Sequence, residues 1–116
     1  MSRKSDGNLG EQQACEYLEQ QGLQLIEKNF SCDIGEIDLV MQHQDILVFV
    51  EVKYRANENL ATVVEQITEK QCRRIRQVAQ FYLIKAKYNE HRTNLRFDVV
   101  AISGFPYELQ WLPDAF

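Results

Sequence analysis

Gly35-Glu36-Ile37-Asp38-Leu39-Val40 and Val48-Phe49-Val50-Glu51-Val52-Lys53-Tyr54-Arg55 are two runs rich in Val, Ile, Leu and Phe. Such residues suit a pleated, half-buried surface and predict strands over 35–41 and 46–54. The polar Gln42-His43-Gln44-Asp45 between them is too short for a crossover, so the two strands form an antiparallel hairpin. Asp38, Glu51 and Lys53 interrupt the apolar pattern. Strand side chains alternate, which puts Glu51 and Lys53 on one face and Val50 and Val52 on the other. A turn centred on Gln44-Asp45 sets Asp38 directly across from Glu51, with Cβ atoms roughly 4.5–5.5 Å apart.

Two opposed carboxylates repel unless something neutralises them. A divalent cation does so naturally, since Mg²⁺ is held by one or two carboxylates together with water and phosphate oxygens. Lys53, further along the same face, then stands where it can position a water and stabilise charge developing on a phosphate. Arg55 continues that face toward a neighbouring phosphate. The competing explanation is an edge strand whose charges guard against aggregation. The apolar residues Ile46 to Val50 and Val52 argue instead for a buried central strand, where charged intrusions are costly.

Outward from the hairpin, a helix is predicted from Asn8, as its cap, to Gly22, with Ala14, Tyr17, Leu18 and Gln21 at helical spacing. A strand follows over Leu23 to Cys32. The longest predicted element is a helix over Leu60 to Tyr88, with an apolar stripe through Val64, Ile67, Ile75, Val78, Ala79, Tyr82, Leu83 and Ala86. Leu95 to Ile102 predicts a strand, Ser103-Gly104-Phe105-Pro106 a turn, and Tyr107 to Leu112 a last strand. The order is α-β-β-β-α-β-β. The long helix can carry a crossover, making the fourth strand parallel to the third. The fold class is α/β or α+β, a mixed sheet flanked by helices, and one domain over 1–116.

The chain has 116 residues, 45% of them hydrophobic and 26% charged, with two prolines. These values exclude a disordered or collagen-like chain. The net charge of -4 is unevenly spread, with ten acids against three bases in residues 1–52 and ten bases against seven acids in residues 53–116. Cys15, Cys32 and Cys72 lie far apart, as expected of reduced thiols rather than a disulfide framework or a zinc site. Neither a signal peptide nor an apolar run long enough for a membrane is present, so the expected location is the cytoplasm.

The hairpin residues closely resemble the YraN family of small uncharacterised bacterial proteins. That family belongs to the PD-(D/E)xK nuclease-like superfamily, which includes restriction endonucleases and Holliday junction resolvases. The resemblance extends over nearly the whole chain, through Gly10-Glu11 with Ala14 and Leu18, Lys70, and Arg96-Phe97-Asp98-Val99-Val100. It implies a restriction-endonuclease-like or Holliday junction resolvase-like fold. It also implies Asp38 and Glu51 as metal-binding carboxylates, the Val52 carbonyl as a further ligand, and Lys53 as the catalytic lysine. Glu11 is similar to the helix-one acid that often completes such a site, and Gln66 and Lys70 lie where helix-two polar residues face it. The stretch Ala56-Asn57-Glu58-Asn59-Leu60-Ala61 departs from the family, where more Gly, Ser and Pro is expected.

Several of these residues have a second explanation. Glu11 can close a capping box with Asn8. Arg96 and Asp98 share strand parity and are expected to form an internal salt bridge. His43 is expected at the surface, and Tyr54, Tyr82 and Tyr88 in packing. Lys70, Arg73, Arg74 and Arg76 crowd the long helix either as a solvated face or as phosphate contacts, with Lys70, Arg74 and Gln77 on one side. Three functions follow: a Mg²⁺- or Mn²⁺-dependent nuclease acting on DNA or branched DNA, a nucleic-acid-binding module without strong catalysis, and a protein whose acids meet a basic partner. Symmetric junction cutting would require two sites, hence a homodimer.

Overall fold

The computed structural model describes residues 3–104 and 106–116, with side chains from Leu9 onward. Its elements are α1 (Arg3–Gln20), β1 (Gln24–Cys32), β2 (Gly35–His43), β3 (Ile46–Arg55), α2 (Leu60–Glu65), α3 (Glu69–Lys85), β4 (Asn94–Ser103) and β5 (Glu108–Leu112). The strands form one sheet in the order β1-β2-β3-β4-β5. β3 and β4 are parallel and the other pairs antiparallel, as the crossover length predicts. The fold is therefore α/β, a mixed sheet with helices on both faces.

Strand alternation sorts β3 between two cores. Val48 and Val50 pack with Ala14, Cys15 and Leu18 of α1. Leu47 and Phe49 pack with Ile75, Val78, Tyr82 and Leu83 of α3. Phe49 meets the Tyr82 ring edge-on at 5.7 Å and stacks on Phe97 at 5.5 Å. Glu51 and Lys53 continue the Phe49 row, so they emerge on the α3 side of the sheet.

Two predicted helix boundaries differ. α1 starts at Arg3 rather than Asn8. Nothing between Arg3 and Leu9 is a proline or β-branched, and a single Gly7 costs only about 1 kcal/mol relative to Ala. Asn8 therefore lies within the helix rather than at its start, and its side chain lies outside what is described. α1 ends at Gln20, and the expected glycine stop follows two residues later at Gly22, where φ is 97° and the Leu23 amide reaches back to the Leu18 carbonyl at 3.0 Å.

The single helix expected over Leu60 to Tyr88 is two helices. Thr68 caps a new one: its hydroxyl accepts from the Gln71 amide at 3.1 Å, and the Gln71 side chain accepts from the Thr68 amide at 3.1 Å. This reciprocal pair satisfies two amides that a helix start leaves open, and it makes a break at Gln66–Thr68 inexpensive. The observed order is accordingly α-β-β-β-α-α-β-β. Phe105, in the predicted turn, lies outside the described residues.

Asp98 is 0% exposed yet fully partnered. Its carboxylate accepts from Arg96 Nε at 2.9 Å and Nη2 at 3.0 Å, from Trp111 Nε1 at 2.9 Å and from the Asp114 amide at 3.0 Å. The expected Arg96–Asp98 pair thus also fastens β5 and the C-terminal segment onto β4. Arg96 contacts His43 Nδ1 at 3.2 Å, so that histidine is half-buried rather than a free surface group.

Candidate active site

The β2–β3 ladder runs from His43↔Ile46 to Leu39↔Val50, the register expected from a turn at Gln44-Asp45. Gln44 supplies the positive φ of 58° that a tight turn requires. The next position brings Asp38 to Glu51. There the backbones stop pairing, and the Asp38 carboxylate takes over, its Oδ2 accepting the Val52 amide at 2.7 Å. A strand residue's N–H and C=O point to the same side, so the Val52 carbonyl also faces the gap beside Asp38.

Only 8% of Asp38 is exposed. Burial pushes its carboxyl well above the usual carboxylate range. A hydrogen bond with Glu51 and the Glu51 charge push it further, while the Val52 amide opposes them. Glu11, on α1, is drawn into the same field. Burial and then the Asp38 charge raise its pKa to about 7, against a hydrogen bond from the Asn29 side chain that lowers it. Gly10 sets the approach of α1, since a Cβ there would stand 3.0 Å from the Tyr54 Cβ. Carboxyls from α1, β2 and β3 thus act on one another, two of them held toward the protonated form.

A cleft of about 330 Å³ opens over these strands. Its strand wall includes Glu36, Asp38, Glu51, Lys53 and Arg55, and its helix wall Gln71 and Arg74. Gly35 lets α3 come close: a Cβ there would meet the Arg74 Cδ at 2.9 Å. The aliphatic stem of Arg74 therefore lies against β2 at Gly35, and Arg74 lines the cleft.

The predicted site residues separate into those that converge and those that do not. Asp38, Glu51, Val52, Lys53, Arg55 and Arg74 share the cleft, and Glu11 couples to Asp38 from outside its lining. Gln66 instead donates to Glu58 Oε1 at 2.7 Å, and Lys70 is exposed outside the cleft lining. Gln71, in the first turn of α3, lines the cleft instead. Its signal is the Thr68-x-x-Gln71 spacing. Glu36 joins the cleft with no comparable signal in the sequence.

Among the described residues, no three His, Cys, Asp or Glu side chains are arranged to enclose a metal ion. Two adjacent carboxylates and an inward carbonyl nevertheless fit a hard divalent cation that keeps several water or phosphate ligands. Among the described residues no His or Cys lines the cleft with them, a donor set that suits zinc poorly. The set can hold a cation beside a lysine, with Arg74 and Arg55 lining the same cleft; Arg55 Nη1 donates to the Tyr54 carbonyl at 2.7 Å and its Nε lies 3.9 Å from Glu58.

Among the described residues, no helix is long and apolar enough to cross a membrane. Residues 10–102 match the model of the Uncharacterised protein family UPF0102. The chain is 43% identical to a UPF0102 protein of Idiomarina loihiensis over 110 residues, covering 95% of each chain. It is also 43% identical to one of Shewanella frigidimarina, covering 97% of this chain and 99% of that one. A UPF0102 protein of Vibrio campbellii is 38% identical over 98% of this chain and 93% of its own. With these matches spanning every residue of the cleft, the chain belongs to the UPF0102 family, the YraN family that its hairpin resembles.

Proposed function

We propose that the protein is a metal-dependent nuclease that hydrolyses phosphodiester bonds in DNA, branched DNA included. One observation carries this: a buried Asp38, tied to the Val52 amide and pressed against Glu51, beside Lys53 in a cleft flanked by Arg55 and Arg74. Asp38, Glu51 and the Val52 carbonyl would hold Mg²⁺ or Mn²⁺, with Glu11 reinforcing them through Asp38. Such an ion supplies Lewis acidity and neutralises charge at a phosphate. Lys53 orients the attacking water and donates to the phosphoryl oxygen on which charge develops. Arg55 and Arg74 fix the flanking phosphates, which contributes affinity and register without base selectivity.

The test is a cleavage screen over single-stranded, flap, duplex and four-way-junction DNA with each metal. Cutting that requires Mg²⁺ or Mn²⁺ and disappears in Glu51→Ala and Lys53→Ala is the expected result. Full activity in Glu51→Ala would overturn the site. A second reading, a nucleic-acid-binding protein without strong catalysis, is favoured because, among the described residues, no three His, Cys, Asp or Glu side chains are arranged to enclose a metal ion. It predicts salt-sensitive binding and no cutting of any substrate.

A further inference from the structure

The outward side of α3 carries Lys70, Arg74, Gln77 and Phe81 at intervals of four, three and four residues, which places them on one line along the helix. All four are exposed, and Phe81 retains 52% of its surface. Ile84, beside it, retains 74%. Isolated apolar residues on a surface are ordinary. This pair is different in that it continues a line whose Arg74 is part of the cleft wall. The helix carries five Lys and Arg against Glu69 alone; Lys70 and Arg74 stand on this line, while Arg76 lies over the Phe116 ring at 5.4 Å and Lys85 over the Phe30 ring at 5.5 Å.

We infer that this face of α3 is a track for a single strand of nucleic acid leaving the cleft, with Arg74 on a phosphate and Phe81 stacked on a base. Lys70 and Arg74 on the line favour a polyanion, and the exposed ring offers a surface on which an open base face can stack. Duplex DNA presents base edges and phosphates, whereas a single strand presents faces that stack on aromatic side chains. Seven residues separate Arg74 from Phe81, about 10 Å along the helix axis. That distance spans about three stacked nucleotides at ~3.4 Å each. A second copy of the chain fits less well, because a two-fold contact through Phe81 would set this basic face against itself. The inference rests on the proposed nuclease site only for where the strand leads.

The experiment measures binding of a short labelled oligo(dT), and of a blunt duplex of equal length, by fluorescence anisotropy. Glu51→Ala protein in EDTA is used, so neither metal nor cleavage enters. Phe81→Ala in that background is expected to weaken oligo(dT) binding roughly five- to a hundredfold, the loss of one stacked base. Duplex binding should stay unchanged. The salt slope should also be unchanged, since no charge is removed. Phe81→Tyr should restore the affinity. Equal oligo(dT) affinity with and without the ring would overturn the inference, as would a sedimenting dimer that Phe81→Ala converts to monomer. Failure of the nuclease screen leaves this measurement standing, and a null result here leaves that screen intact.

Discussion

Asp38 and Glu11 are held by the fold in a state that works against stability at neutral pH. For Asp38, burial and Glu51 raise the folded pKa above the unfolded value of about 3.9, so the native state binds the extra proton. Its contribution is therefore most favourable at low pH and is lost progressively above about pH 4. Glu11 acts in the same direction between its ordinary 4.5 and about 7. Asp38→Asn removes the repulsion but keeps an oxygen to accept the Val52 amide. In EDTA its Tm should exceed that of the wild type at pH 7, and the gap should close on acidification. Cleavage should be lost in the same variant. Saturating Mg²⁺ should reverse the order, raising the wild-type Tm by the equivalent of about 2.7 kcal/mol at a hundredfold excess over Kd and leaving Asp38→Asn nearly unmoved. Thermal melts across pH, with and without metal, decide the matter, and a wild-type Tm that rises with pH in EDTA would refute the assigned burden.

Two elements owe their placement to side chains whose removal has a calculable cost. Thr68→Ala deletes the α3 cap and should lower stability by about 1 kcal/mol in urea unfolding. It should also weaken substrate binding, since Gln71 and Arg74 lie in the first turns of that helix. Asp98→Ala takes the acceptor from the half-buried Arg96 guanidinium, from Trp111 Nε1 and from the Asp114 amide, and should cost about 3 kcal/mol. The same contrast marks what the sequence made legible. The hairpin register followed from turn length and alternation, and with it Asp38 beside Glu51. The parallel crossover followed from helix length. The break before Thr68 was masked by an apolar stripe that continues from Val64 and Ile67 into α3, and its capping signal competes with that periodicity. Gln66 and Lys70, expected at the site from the family resemblance alone, lie outside the cleft lining. Glu11 turned on a boundary too: with α1 extended to Arg3, the acid is no longer needed as a cap and acts on Asp38.

At the scale of the whole molecule, a net charge of -4 has to be reconciled with the polyanionic substrate proposed above. The acids are concentrated before residue 53 and the bases after it. The fold brings the two halves together at the cleft, where Glu36, Asp38 and Glu51 face Lys53, Arg55 and Arg74. Without a cation, those carboxylates oppose a phosphate at the point where the guanidinium groups attract it. Divalent ions ordinarily weaken protein–DNA binding, because they compete with the protein for the phosphates. Here the balance should invert at low concentration. A cation held by Asp38 and Glu51 removes the local repulsion before bulk competition takes effect. Titrating Ca²⁺ as a non-catalytic stand-in for Mg²⁺ should therefore first raise affinity for a DNA strand, then lower it as competition grows. In Glu51→Gln the rising phase should vanish and affinity in EDTA should exceed that of the wild type, because one repelling charge is gone. A monotonic fall for the wild type, matching that of Glu51→Gln, would show that the acidic wall and the bound phosphate do not share a site.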